Sequence, residues 1–292
     1  MRSTSKVFFL MLSTALQTAG AETLILGHRG ARALYPENTT EGFFKVLDGG
    51  IRNLELDLGM SKDGTLFIYH DSAINPLICH SPSVAASFFK RPNLLTLSDA
   101  EIESFDCGSK TQWWRFPKQK KIEGARIPKF REFLESVKQS FSNILNEITF
   151  LVEVKVKDPS THETATPEEF AIKVSAAIEE SGLKSSITVQ SFSVDFLRKL
   201  KQVNPSIETA LLWEERWLPS IEQLRDLNLK VFLPKFRNMN AESVKTFQDA
   251  GFPVISWTLN SEKEWRKALE WGIDGIITDD PIGLKKFLAS KK

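Results

Sequence analysis

From Ile127 to its C-terminal end the chain alternates short apolar runs with amphipathic stretches, and this alternation restricts the possible folds more than any other feature. Strands are predicted over 150–156, 187–190, 208–212, 230–233, 254–257 and 275–278, and helices over 129–139, 168–181, 194–203, 220–226, 241–250 and 262–271. A strand followed by a helix, repeated, lays its strands parallel and covers them with the helices. Two more strands open at Leu24 and Asn53, linked by a helix over 39–47 that Thr39 or Thr40 caps and Gly49-Gly50 closes. That makes eight units, with a short extra strand over 65–69, and eight favour a closed (β/α)8 barrel of the α/β class. The pattern does not decide which of the nine strands stays outside the wall. A hydrophobic content of 41% suffices for one large core, and no Gly/Ser linker or low-complexity segment marks off a second domain within 22–292. The irregular, proline-studded stretch over 72–126, with one acidic helix at 98–103, is too long for a loop and reads as an insertion at the barrel mouth.

Barrels of this kind carry their sites at the C-terminal ends of the strands. Residues 24–71 read LILGHRGARALYPENTTEGFFKVLDGGIRNLELDLGMSKDGTLFIYHD. Leu24, Ile25 and Leu26 form a strand that stops at Gly27, so His28 and Arg29 emerge where the backbone turns at Gly30. Period-two alternation puts Glu55 and Asp57 on one face of the next strand, with Leu54, Leu56 and Leu58 on the other. Lys62-Asp63-Gly64 supplies turn chemistry, and a two-residue turn at Asp63-Gly64 sets His70 opposite Asp57. Further on, Glu153 and Lys155 share a face of their strand while Val152, Val154 and Val156 take the other.

The ordered runs Gly-His-Arg-Gly at 27–30, Pro-Glu-Asn-Thr at 36–39, Glu-Leu-Asp at 55–57, Asp-Gly at 63–64 and His-Asp at 70–71 resemble the glycerophosphodiester phosphodiesterase family. The likeness continues through 151–155, Gln-Ser-Phe at 190–192, 254–260 and 272–281, so it spans nearly the whole chain. It implies the same barrel and an enzyme that hydrolyses glycerophosphodiesters to sn-glycerol 3-phosphate and an alcohol such as choline or ethanolamine. Carried over residue by residue, it implies His28 and His70 as the catalytic acid–base pair and Glu55, Asp57 and Glu153 as ligands of a divalent cation. It further implies Arg29 and Lys155 as phosphate-binding groups and Trp257 against the glycerol carbons. In the implied mechanism a glycerol hydroxyl attacks phosphorus with one histidine as base, the other protonates the leaving alcohol, and water opens the cyclic phosphate.

The chemistry of these residue types agrees with that assignment. Imidazoles take and give protons near neutral pH, as the breaking of a phosphodiester requires. Three carboxylates aimed at one point repel unless a cation joins them, and all-oxygen ligation selects a hard ion, Ca²⁺ ahead of Mg²⁺. Taken singly, each carboxylate could instead pair with Lys155 or Arg29, and Trp257 could be a core tryptophan. His80 and His162 lie in irregular polar stretches and read as structural; Trp113 and Trp114 read first as packing residues and second as substrate contacts. Two departures from the family stand out: Ile-Pro-Lys-Phe at 127–130 where a Pro-Thr-Leu run is common, and Asp280 where Tyr or Asn is common. Two alternative readings remain: a phospholipase-type relative that releases a cyclic phosphate or acts on lysophospholipids, and a non-catalytic exported binding protein that keeps the barrel.

Arg2 and Lys6, the apolar run that begins at Val7, and Ala19-Gly20-Ala21 have the order of a secretory signal peptide over 1–21, with cleavage after Ala21. The run is too short to cross about 30 Å of hydrocarbon, so an exported, periplasmic or secreted chain without a membrane span is expected. Loss of the leader turns 38 basic against 37 acidic residues into 36 against 37, a balance that argues against nucleic-acid and polybasic-membrane partners. A small-molecule substrate is the one partner expected, and no protein partner is predicted. In an oxidising compartment Cys79 and Cys107 either pair or stay as two buried thiols. With four histidines and no C-x-x-C, they do not suggest a zinc site.

Overall fold

Apolar runs that stop at glycine, and helices that start at Ser, Thr or Asn, set the element boundaries. The computed structural model describes residues 23–290 except 88 and 158, so the expected signal peptide and its cleavage point lie outside the described residues. The elements run β1 (Leu24–Gly27), α1 (Thr40–Asp48), β2 (Asn53–Met60), β3 (Leu66–Ile68), α2 (Asp99–Glu103), α3 (Phe130–Ser140), β4 (Thr149–Val154), α4 (Pro167–Ser181) and β5 (Ile187–Ser191). They continue α5 (Val194–Val203), β6 (Glu208–Trp213), α6 (Ile221–Asp226), β7 (Val231–Pro234), α7 (Ala241–Asp249), β8 (Ile255–Ser256), α8 (Glu262–Glu270), β9 (Gly275–Thr278) and α9 (Pro281–Ala289). Capping boxes open α2, α4, α6, α7 and α8 at Ser98, Thr166, Ser220, Asn240 and Ser261, each satisfying backbone N–H groups that the helix leaves without a partner.

Parallel pairing follows the order β7-β6-β5-β4-β2-β1-β9-β8. Bridges from Phe232 to Val254 and from Lys235 to Trp257 join β7 to β8, giving a nearly closed barrel of eight parallel strands with helices between them. The strand outside the wall is β3, which pairs antiparallel with β2 and, on its other side, bridges from Phe67 to Lys129. Its register corrects the expected hairpin: Leu58 faces Ile68 and Met60 faces Leu66. The Tyr69 N–H donates to the Asp57 carbonyl at 3.0 Å, so Tyr69 stands where His70 was expected. The physical reason is the turn. Ser61 and Thr65 pair across it, leaving Lys62, Asp63 and Gly64 as a three-residue loop that uses Gly64 in the left-handed region at φ 79°.

The strand faces divide the core in two. Leu54, Leu56, Leu58, Phe150, Val152 and Val154 turn outward and pack under the helices with Phe43, Phe133 and Phe170. Leu26, Leu151, Leu212, Leu233, Ile255 and Ile277 turn inward and fill the barrel. At roughly 1.5–3 kcal/mol for each fully buried large apolar side chain, these two layers dominate the favourable side of folding. The segment over 72–126, expected from the sequence to be an insertion, adds a third cluster, in which Phe67 and Tyr69 meet Ile74, Leu94, Ile102 and Phe105 around a Cys79–Cys107 disulfide. The two cysteines therefore pair. Trp113 and Trp114 do not pack as expected; they stand 70% and 54% exposed and touch each other edge to face.

Candidate active site

The site begins where β1 ends. A side chain at Gly27 would bring a Cβ to 2.0 Å from the Gly30 carbonyl oxygen, so the turn closes only on glycine. Arg29 takes a positive φ of 50°, an uncommon state for a side-chain-bearing residue, and its N–H donates to Glu55 Oε2 at 2.9 Å. The same turn therefore orients His28, presents Arg29 and anchors one acid of the next strand.

Register assembles the acids. Asp57 on β2 lies beside Glu153 on β4, which lies beside Gln190 on β5. Glu55 reaches the same centre from two residues earlier on β2. One carboxylate oxygen from each of Glu55, Asp57 and Glu153 lies within 4.8 Å of the others, and all three residues are buried. Gln190 Nε2 donates to Glu55 Oε1 at 3.0 Å, and Asn38 Nδ2 to Asp57 Oδ2 at 2.9 Å. Lys155 Nζ bridges the other two acids, 2.6 Å from Asp57 Oδ1 and 2.9 Å from Glu153 Oε1.

Burial pushes the Glu55 carboxyl well above the usual range, and repulsion from Asp57 and Glu153 adds to it. Burial acts the same way on Asp57, but Lys155, His70, Arg29 and the Asn38 amide outweigh it and hold that group well below the usual range. Burial alone would lower Lys155; Asp57 and Glu153 instead raise it. Arg29 is likewise raised despite burial, by Glu37, Asp57 and Glu55, with Glu37 Oε1 2.7 Å from Nη1 and Asp57 Oδ2 3.4 Å from Nε.

These residues could hold a metal. Three buried carboxylates give an all-oxygen donor set. The side-chain carbonyl oxygens of Asn38 and Gln190, whose amide nitrogens bond two of the acids, are buried and accept no hydrogen bond from the described residues. A hard cation suits such oxygens, and it would also relieve the repulsion on Glu55.

Each histidine comes with its own carboxylate. His28 Nδ1 is 2.5 Å from Asp279 Oδ1, at the end of β9, and Asn260 Nδ2 donates to the other Asp279 oxygen at 2.8 Å. Burial lowers the His28 pKa, against the opposing hydrogen bond and charge of Asp279. His70 Nδ1 is 2.6 Å from Asp71 Oδ1, and Arg91 from the insertion holds Asp71 Oδ2 at 2.7 Å. Trp257, half-buried at the end of β8, donates from Nε1 to the Leu233 carbonyl at 2.8 Å and meets Phe192 edge to face at 5.5 Å.

All eight residues singled out from the sequence thus lie at the mouth: His28, Arg29, Glu55, Asp57, His70, Glu153 and Lys155 form one cluster, and Trp257 stands at the end of β8, two places from β1 in the strand order. His80 and His162 are outside the cluster. Sequence reasoning assigned nothing to Glu37, Asn38, Asp71, Gln190, Asn260 and Asp279. The signal was available, since each falls inside a run that carries the family likeness: Glu37 and Asn38 within the Pro-Glu-Asn-Thr turn, and Asp71 directly after His70. Of the two departures, Asp280 caps α9 by accepting from the Gly283 N–H at 2.7 Å, and the Pro128 carbonyl accepts from the Ile68 N–H on β3.

Comparison with known proteins agrees with this geometry. The family model described as the glycerophosphoryl diester phosphodiesterase family matches residues 28–282. Curated proteins named glycerophosphodiester phosphodiesterase match over most of their length: one from Caldanaerobacter subterraneus subsp. tengcongensis is 26% identical over 89% of this chain and 95% of its own, and one from Bacillus altitudinis is 28% identical over 89% and 95%. Among solved structures, a Silicibacter pomeroyi protein assigned by name to the same family superposes with a TM-score of 0.87 at 25% identity, covering 97% of this chain and 98% of that one.

Proposed function

The chain belongs to the glycerophosphoryl diester phosphodiesterase family, and from that premise we propose that it hydrolyses glycerophosphodiesters to sn-glycerol 3-phosphate and a free alcohol with a divalent cation and the pair His28 and His70. One observation carries the reading: two imidazoles, each fixed through Nδ1 by an aspartate, flank three buried carboxylates. With Nδ1 engaged, each ring keeps Nε2 for the substrate. Glu55, Asp57 and Glu153 would hold the cation, Ca²⁺ ahead of Mg²⁺ because Ca²⁺ tolerates a less regular oxygen shell. Its chemistry there is to withdraw charge from the phosphoryl oxygens and neutralise the acids.

The chain's own groups do the rest. Arg29 offers two phosphate oxygens a planar fork and Lys155 adds a point charge. Trp257 and Phe192 give an apolar corner for the glycerol carbons. In the order β8-β9-β1, His28 stands two strands from Trp257 and so faces the glycerol side, whereas His70 stands beside the insertion. His28 then takes the proton of the glycerol 2-hydroxyl as that oxygen attacks phosphorus, and His70 gives its proton to the departing alcohol oxygen as the ester bond breaks. In the second half, water loses a proton to His70 and attacks the cyclic phosphate, while His28 returns its proton to the 2-oxygen. Neither histidine bonds a serine or cysteine among the described residues, so the substrate hydroxyl is the better nucleophile, with the advantage of proximity. The order of residues 1–21 and the Cys79–Cys107 bond, a kind of bond that persists in oxidising compartments, support export.

Phosphorus NMR of the reaction with glycerophosphocholine and glycerophosphoethanolamine, with Ca²⁺ or Mg²⁺ added, tests the reading. Release of glycerol 3-phosphate that a chelator abolishes and metal restores is expected. A cyclic phosphate as the end product would favour the phospholipase-type reading, and no turnover would favour the binding protein. An analogue lacking the 2-hydroxyl should bind with similar affinity and react far more slowly, the loss appearing in kcat.

A further inference from the structure

A pocket of about 270 Å³ opens beside His70. One wall is His70, Asp71 and Arg91, from the start of the insertion; the other is Lys155, Lys157 and Glu163, on the segment that follows β4. In the strand order β4 lies four places from β8, so the pocket is on the opposite side of the mouth from Trp257. A diester with its glycerol on Trp257 and its phosphate at the acids therefore points its second arm into this space.

The lining narrows what that arm can be. Among the described residues no phenyl, phenol or indole ring borders the pocket, so this lining offers a trimethylammonium group no cation–π contact. Its volume is just below the roughly 300–1,000 Å³ typical of drug-sized ligands, which suits a small head group and not an acyl chain. Two of its cations are engaged: Arg91 holds Asp71, and Lys155 bridges Asp57 and Glu153. Lys157 and Glu163, both exposed on the rim, form no ion pair with another described residue, so among the described lining residues one positive and one negative charge stay open to the space.

We propose that this pocket receives the leaving alcohol and selects a small head group that carries both an ammonium and a carboxylate, the seryl type, over a trimethylammonium. Lys157 takes the carboxylate and Glu163 the ammonium. The assignment rests on the hydrolase reading above, with His70 as the group that protonates the same leaving oxygen. A bare ethanolammonium group satisfies Glu163 alone, and an uncharged glycerol head group satisfies neither.

The test is kcat/KM of the full chain on glycerophosphoserine, glycerophosphoethanolamine, glycerophosphocholine and glycerophosphoglycerol. The seryl diester should lead and the choline diester should trail the ethanolamine one. Lys157→Ala should lower the serine-to-ethanolamine ratio about three- to fivefold, the size of one exposed charge contact, and Glu163→Gln should lower the ethanolamine-to-glycerol ratio by a similar factor. A choline diester turned over as well as the seryl one, or ratios that neither variant moves, would overturn the pocket assignment and leave the hydrolase reading standing. A wild type that hydrolyses none of the four would overturn both.

Discussion

The two histidines are held by the same bond in different surroundings. His28 and His70 each direct Nδ1 to an aspartate, at 2.5 and 2.6 Å. Asp279 is 4% exposed and takes its second bond from Asn260, so the His28 dyad is made entirely of barrel residues at the ends of β1, β8 and β9. Asp71 is 35% exposed and takes its second bond from Arg91, so the His70 dyad depends on the insertion. Burial lowers the His28 pKa, which favours the neutral ring that a base must be at the start of the reaction. The difference teaches that the barrel fixes one half of the proposed acid–base pair, while the other half is built at a border with the segment over 72–126.

If both dyads serve one reaction, His28→Ala and His70→Ala should each lower kcat by at least about a hundredfold, since general acid–base catalysis is worth roughly 10² to 10⁴. Unchanged thermal unfolding would show that the fold survives. Near-normal turnover in either variant would remove that ring from the mechanism and end the comparison.

The aspartates should separate the two sites. Asp279→Asn leaves a buried ring without its orienting charge and should cost about a hundredfold in kcat/KM. Asp71→Asn acts on a half-exposed pair, where water and Arg91 screen the loss, and should cost about tenfold. Equal losses would break the distinction between them.

A pH profile sharpens the same contrast. Activity that needs neutral His28 falls as pH drops through a pKa that burial has moved below the ordinary histidine value. Asp279 opposes that shift, so Asp279→Asn should move the acid limb of kcat/KM to still lower pH. The stability sign agrees: between the lowered folded value and the ordinary one the unfolded chain binds the extra proton, so His28 contributes less stability as pH falls through that window. An acid limb that moves upward in Asp279→Asn would contradict the effect assigned to the Asp279 charge.

Much of this was legible in the sequence, for reasons that also explain what was not. Period-two alternation put Glu55, Asp57 and Glu153 on inward faces, and parallel pairing then had to bring their strands together. The eight-unit count gave the barrel, but which strand lay outside depended on the Ser61–Thr65 pair, and the length of that turn also decided whether Tyr69 or His70 met Asp57. Asp279 escaped because its role needs contact with His28 across 251 residues, closing β9 against β1, which periodicity does not report, and Asn260 acts only through Asp279. The Cys79–Cys107 pairing escaped for the same reason: spacing carries no distance.

The smallest effect probes how far the insertion governs its dyad. The disulfide closes a segment with a sequence separation of 28, and Arg91 lies within it. Constraint of a loop this long is worth about 3–4 kcal/mol of stability, so Cys79→Ser with Cys107→Ser should lower the thermal midpoint clearly. Catalysis should respond far less, because β3 still holds His70 through its pairing with β2. What loosens is Arg91, and through it the orientation of Asp71, so kcat should fall only about two- to fivefold, at the low end of coupling between contacting residues. The cycle with Asp71→Asn decides the route. Once Asp71 can no longer accept the Arg91 charge, removing the disulfide should change kcat little further, whereas in Asp279→Asn the same removal should cost its full factor. If the cysteine variants lower turnover equally in both backgrounds, the insertion acts on the whole mouth and not through the His70 dyad.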